Sequence, residues 1–244
     1  SDGFKGLNSI QLINLKYNKF IKKIGKCLNE MKSLDTLELN SNSIEIISDM
    51  FHDTISLREL NLDSNLIVDF ENNWSKSLET SLQNLSINFN RLEQIRSHYF
   101  QNLTSLYTLH ASSNKISTIS KDSFKFLYNL ELLDLSSNCI FQLSHGLFDY
   151  FINLNRLVLS NNLLKSIQFS KRLNQLIDLD LSRNLIEKFH LSSILLPELQ
   201  YLDISDNKIL KEFTSDNPKL VYLNLNKNIK LENMKSSTNF KDLS

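Results

Sequence analysis

The segment Leu130 to Ile140, LELLDLSSNCI, is one statement of a pattern that this chain makes ten times. In each copy an Asn follows aliphatic residues placed eight, five and three positions before it. The ten residues are Asn18, Asn42, Asn65, Asn90, Asn114, Asn138, Asn162, Asn184, Asn207 and Asn228, at successive spacings of 24, 23, 25, 24, 24, 24, 22, 23 and 21. The aliphatic places hold Leu or Ile throughout, save for Ala111 before Asn114. A fixed internal grammar at such a period leaves room for little except a coil of stacked turns, each too small to bury its apolar face alone.

The alternation inside the motif sets the geometry. The L-x-L core reads as a short strand with one face buried and one exposed. Successive turns bring successive strands side by side, so the strands run parallel. The Asn amide is placed where the chain leaves the strand, and it can satisfy backbone groups of neighbouring turns that would otherwise be orphaned. With only 4 Gly and 2 Pro in the chain, Asn and Ser are the residues available to build the turns.

A second ruler runs along the return arms. Phe4, Phe51, Phe100, Phe124 and Phe148 each stand fourteen residues before a motif Asn, and Leu28 takes that place before Asn42. A Phe column is expected to fill the coil opposite the strands. It lapses at Lys76, Ser170, Ser193 and Thr214, with Trp74 or Leu78 as local substitutes. The closing spacings of 22, 23 and 21 predict tighter, less regular return arms. Residues 1–244 read as a single solenoid without linker or composition break. Phe4, Leu7 and Ile10 repeat the second half of a unit, and Phe240 and Leu243 begin another. The expectation is a segment cut inside repeats at both ends, without cysteine-rich caps; degenerate terminal repeats that cap without cysteine are the alternative.

Composition narrows the chemistry. Lys plus Arg and Asp plus Glu are 27 each, so no global field draws the chain to nucleic acid, and nucleic acid is not expected as a partner. No apolar run approaches the roughly 18 residues that cross a bilayer, and Ser1 to Lys5 is not a basic-then-apolar leader. Membrane attachment would come only through segments outside this chain. Cys27 and Cys139 lie five strands apart, about 24 Å at strand spacing, beyond disulfide reach. They form no metal-binding spacing, and no cofactor motif is present.

The pattern LxxLxLxxNxI with a late Phe resembles the typical-class leucine-rich repeat of animal extracellular proteins. It is similar to Toll-type receptor ectodomains, chaoptin-like adhesion proteins and insect leucine-rich repeat immune proteins. The longer repeats of cytosolic nucleotide-sensing receptors and ribonuclease inhibitors fit less well. The resemblance implies an α/β solenoid: a horseshoe with a parallel sheet on its concave face and irregular or short helical return arms. It also implies an extracellular or cell-surface protein-binding module, as a receptor segment, an adhesion array or a secreted immune or inhibitor protein. The partner would be a protein ligand or a second copy of a leucine-rich repeat protein.

On that frame the exposed strand positions form two columns. One runs Leu12, Thr36, Glu59, Asn84, Thr108, Leu132, Arg156, Asp178, Tyr201, Tyr222. The other runs Asn14, Glu38, Asn61, Ser86, His110, Asp134, Val158, Asp180, Asp203, Asn224. Two groups are candidate partner-binding surfaces. Asp178, Asp180, Asp203 and Asp206 gather with Tyr201 and Tyr222, an acidic and aromatic surface suited to a basic protein. Asp before Leu-Ser is also common repeat grammar, so these carboxylates have a purely scaffolding alternative. Tyr107, His110, Leu132, Arg156 and Val158 make a mixed central patch. His110 faces Asp134 one repeat on, a pairing that protonation would strengthen. Three glycosylation sequons occur, at Asn73, Asn84 and Asn102. Asn73 and Asn102 map to return arms, whereas a glycan on Asn84 would block the concave face. No phosphate loop or closed acid–base pocket is evident, so catalysis is not expected.

Overall fold

The computed structural model describes residues 4, 6–19, 21–22, 28, 31–51 and 54–236. Its strands in chain order are β1 (Leu12–Asn14), β2 (Thr36–Glu38), β3 (Ile46–Ile47), β4 (Glu59–Asn61), β5 (Asp69–Phe70), β6 (Asn84–Ser86), β7 (Gln94–Ile95), β8 (Thr108–His110) and β9 (Thr118–Ile119). There follow β10 (Leu132–Asp134), β11 (Arg156–Val158), β12 (Asp178–Asp180), β13 (Lys188–Leu191), β14 (Tyr201–Asp203), β15 (Glu212–Ser215), β16 (Tyr222–Asn224) and β17 (Asn233–Ser236).

Ten of these, one per motif, form a single parallel sheet in the order β1-β2-β4-β6-β8-β10-β11-β12-β14-β16. The register matches motif to motif: Leu133 lies beside Leu109 on one flank and Leu157 on the other. The middle residue of nearly every strand is buried and its neighbours are not. The two columns read from the sequence are therefore the two outward columns of this sheet.

The motif Asn residues lock turn to turn. Asn138 donates from Nδ2 to the carbonyls of Leu135 (3.0 Å) and Ser136 (3.1 Å) in its own turn, and to Ala111 (3.0 Å) in the preceding one. Its Oδ1 accepts the N–H of Ile116, also in the preceding turn, at 3.0 Å. The same fourfold arrangement recurs at Asn65, Asn90, Asn114, Asn162 and Asn184. These side chains are buried, and every polar atom of such an amide has a backbone partner.

The turn itself is made by the residue just before each Asn. Tyr17, Ser41, Ser64, Phe89, Ser113, Ser137, Asn161, Arg183, Asp206 and Lys227 all hold φ between 53° and 60°. None is glycine, the residue for which this region costs nothing. The chain bends at a left-handed residue held by the Asn that follows it.

The return arms are irregular, as the resemblance implies: turns and bends predominate, with short parallel ladders at β3-β5, β7-β9 and β13-β15-β17 and a 3-10 turn at Lys76–Leu78. The Phe column is broader than its ruler. Ring contacts run without a break from Phe51 through Trp74, Phe70, Tyr99, Phe100, Phe124, Phe151 and Phe148 to Phe169. Trp74 is the local substitute, and its Nε1–H donates to the Tyr99 carbonyl at 2.7 Å. Where the ruler lapses at Ser193 and Thr214, Phe189 and Phe213 stack instead, 6.3 Å apart. Phe4 packs on the core edge. The expectations for Cys27, Phe240 and Leu243 fall outside the described residues. Cys139 is exposed and unbridged.

Candidate binding surface on the concave sheet

The outward columns carry the chemistry, and the structure brings the two candidate groups together. Arg156 Nε lies 3.3 Å from Asp178 Oδ2 on adjacent strands β11 and β12, so the mixed patch and the acidic patch share an ion pair. Tyr201 and Tyr222 sit next to each other on β14 and β16 with ring centroids 6.4 Å apart, 45% and 48% exposed. Exposed rings of this size, held in contact, form a ready apolar anchor. Asp203 stands beside them and accepts from Asn224 Nδ2 at 2.9 Å.

The carboxylates have two jobs. Asp134, Asp180 and Asp203 each accept the N–H of the Ser two residues on, at 2.9 Å. Asn14, Asn61 and Asn224 close the same turn with their amide oxygens. This is the physical content of the Asp-x-Ser grammar: one oxygen closes the strand exit, while the other is left to the surface. Where Ser86 and His110 occupy the position, the preceding turn supplies the acceptor. Asp63 Oδ1 takes the Asn88 N–H and Asn88 Oδ1 takes the Ser112 N–H, both at 2.7 Å.

Electrostatics differ along the column. Burial, which alone would raise the Asp134 carboxyl, is outweighed by the facing His110 side chain and by Ser136, whose N–H donates to it. The group is held below its ordinary value. His110 Nδ1 is 4.0 Å from that carboxylate. At Asp178 burial dominates, Asp180 and Asp203 add to it, Arg156 opposes, and the carboxyl is pushed up. Tyr107 is exposed one residue before β8, while Leu132 and Val158 lie half-buried between the polar columns.

A groove of about 400 Å³ lies over β2, β4, β6 and β8, with Glu38, Glu59, Asn61 and Ser86 along it beside His110. These residues were visible as column members but not as a concavity, because curvature is set by the whole array. Among the described residues no group of three or more His, Cys, Asp or Glu side chains is placed to hold a metal ion.

The sequons differ in their surroundings. Asn73 is exposed at φ 63°. Asn102 donates its amide to Glu79 Oε1 at 2.9 Å. Asn84 accepts from Thr108 Oγ1 at 2.7 Å on the concave face.

Two family models match the chain: one described as leucine rich repeat, over residues 80–140, and one described as BspA type leucine rich repeat region, over residues 1–77. The chain is a leucine-rich repeat protein. The human leucine-rich repeats and immunoglobulin-like domains protein 3 is 31% identical over 93 residues, covering 38% of this chain and 8% of that one. The fold of this chain is similar to that of solved Toll and TLR13 structures. The Toll–Spatzle complex from Drosophila aligns over 85% of this chain and 31% of its own, with TM-score 0.74 and 23% identity; its glycosylated form gives 88%, 32%, 0.75 and 22%. A TLR13–ssRNA13 complex aligns over 87% of this chain and 41% of its own, with TM-score 0.64 and 22% identity. This leucine-rich repeat chain thus spans well under half the length of each relative. One of those neighbours holds RNA, so the expectation of no nucleic acid, drawn from balanced net charge, does not follow from the fold. Local patches rather than the sum of charges decide what such a face binds.

Proposed function

We propose that this leucine-rich repeat chain is a ligand-recognition segment of an extracellular receptor, holding a protein partner on the C-terminal half of its concave sheet. The observation that carries this reading is the exposed Tyr201–Tyr222 pair flanked by Asp178, Asp180 and Asp203. Apolar rings anchor, and carboxylates steer a cationic protein surface. The same carboxylates repel phosphate, which favours protein over nucleic acid at this place. The Spatzle partner of the Toll neighbour is a protein ligand on a fold of this kind, which supports the same class of partner here. Asp134, Arg156 and Val158 extend the surface toward His110, Leu132 and Tyr107.

The decisive experiment is affinity capture from an extracellular protein pool, followed by the double change Tyr201→Ala and Tyr222→Ala. Affinity should fall while the unfolding midpoint stays put; unchanged affinity excludes the patch. Extracellular placement is tested separately. A secretory host should add a glycosidase-sensitive mass that Asn73→Gln reduces, and an unmodified product would argue for a cytosolic array instead.

A further inference from the structure

The residue just after each motif Asn builds a flank of the coil at the strand exits. Arg91, Lys115, Cys139, Leu163 and Leu185 each donate an N–H to a carbonyl of the preceding turn, at 2.8 to 2.9 Å. They stand in one column, and all five are exposed. The column changes character along its length. Cys139, Leu163 and Leu185 make an apolar run over three turns, with Phe141 exposed two residues beyond Cys139. Phe141, Leu163 and Leu185 are 46%, 45% and 37% exposed. Cations surround that run: Arg91 and Lys115 before it, Lys165 and Arg183 beside it, Lys208 after it. Among the described residues none of these five side chains has a hydrogen-bond or ion-pair partner. The carboxylates over the same turns of the flank are Glu93, Asp206 and Glu187, and Glu187 is already paired with Lys211 at 2.7 Å.

An apolar centre with a cationic rim is the inverse of the concave surface. There Tyr201 and Tyr222 stand among Asp178, Asp180 and Asp203, and Arg156 offsets only one of the three charges. The whole chain carries 27 basic and 27 acidic residues, so charge is sorted between faces rather than in excess. Both patches run over three successive turns, roughly 10 Å between outer strands, so their lengths match. They lie on different faces of one coil and meet only between copies.

We propose that the flank of one copy docks on the concave Tyr201–Tyr222 surface of a second copy, with Leu163 and Leu185 against the rings and Lys165 and Arg183 toward the carboxylates. This names the cationic partner of the concave surface, and so rests on that reading. Charge complementarity selects the pairing. A flank-to-flank pair would set cation against cation, and like charges brought together cost affinity. Two unlike faces make a heterologous contact. It leaves one patch of each kind open on a pair and so propagates to a ring or an open chain.

The test is analytical sedimentation of the intact chain in reducing buffer, which keeps Cys139 from bridging copies covalently. Mass should rise with protein concentration, and salt at about 0.5 M should weaken association at least about tenfold. The flank variant Leu163→Glu with Arg183→Glu should be monomeric, and so should the concave variant Tyr201→Ala with Tyr222→Ala. Mixing the two variants should restore a one-to-one dimer that grows no further, because each supplies the patch that the other lacks. Thermal unfolding checks that both variants are folded. Lys115→Glu with Lys165→Glu replaces the first flank variant if that one is destabilised. The proposal is overturned by a parent chain that stays monomeric up to about millimolar concentration, by variants that associate as the parent does, or by a mixture that restores nothing. A monomeric parent whose capture of another protein is lost in the Tyr variant overturns the proposal and leaves the concave-face reading standing.

Discussion

The Nδ2 of Asn138 donates to the carbonyl of Ala111 at 3.0 Å, across the boundary between two turns. The same side chain takes the Ile116 N–H on its oxygen. Replacing Asn138 by Leu keeps the volume roughly constant and orphans buried backbone groups in two turns. A loss of about 1–3 kcal/mol is expected, read as a lower urea midpoint. An unchanged midpoint would mean that water or a relaxed backbone meets those groups.

Phe89 holds φ 53° with its ring 61% exposed. An aromatic residue in this region is strained, and an exposed ring recovers little by packing. Phe89→Asn should raise stability by about 1 kcal/mol, because Asn visits the left-handed region readily. Ser137→Asn, at the equivalent place, should change the unfolding midpoint far less. If both variants behave alike, strain at Phe89 is not the cause.

Asp134 and Asp178 should respond to pH with opposite sign. The Asp134 carboxyl is held below its ordinary value of 3.8. Its contribution to stability is full above that value and is lost as pH falls through the lower folded-state value. Asp134→Ala should therefore destabilise at pH 7 and matter little in strong acid. The Asp178 carboxyl is held above 3.8, so its charge opposes folding at neutral pH. That cost fades as pH falls through the raised value toward 3.8. Asp178→Asn should be neutral or stabilising at pH 7, with the difference gone near pH 3. Denaturant midpoints of the three proteins across this range check both signs.

Trp74 is fully buried between Phe51 and Phe70 and spends its N–H on Tyr99. Trp74→Ala should cost about 3–5 kcal/mol. Trp74→Phe should recover much of the packing and still leave the Tyr99 carbonyl without its donor. Thermal unfolding of the pair separates the two contributions.

The concave sheet was legible in the sequence residue by residue, because a motif of fixed internal spacing fixes both facing and register. The pairing of Leu132 with Thr108 and Arg156 follows from counting alone. The return side was not, and the reason is phase. Counting back fourteen from the next Asn works only while the arm keeps its length, and it lands on Ser193 and Thr214 once the arms shorten. Counting forward five from the preceding Asn finds Ile47, Phe70, Ile95, Ile119 and Phe189, the buried members of the return ladders. The candidate site was legible as two columns of side chains. The Arg156–Asp178 pair and the contact of Tyr201 with Tyr222 depend on side-chain reach, which spacing does not carry. The turn-closing role of Asp134, Asp180 and Asp203 could have been read from the Ser two residues after each.

The Asn ties also have a direction. Asn65, Asn90, Asn114, Asn138, Asn162 and Asn184 each reach to the turn before and none to the turn after. Backbone bonds run the opposite way: Leu135 and Ser137 donate their N–H groups to Val158 and Ser160 of the turn after. An interior turn is therefore gripped from both sides, its Asn reaching back and its strand exit reaching forward, so removing either neighbour leaves polar groups of that turn unpaired.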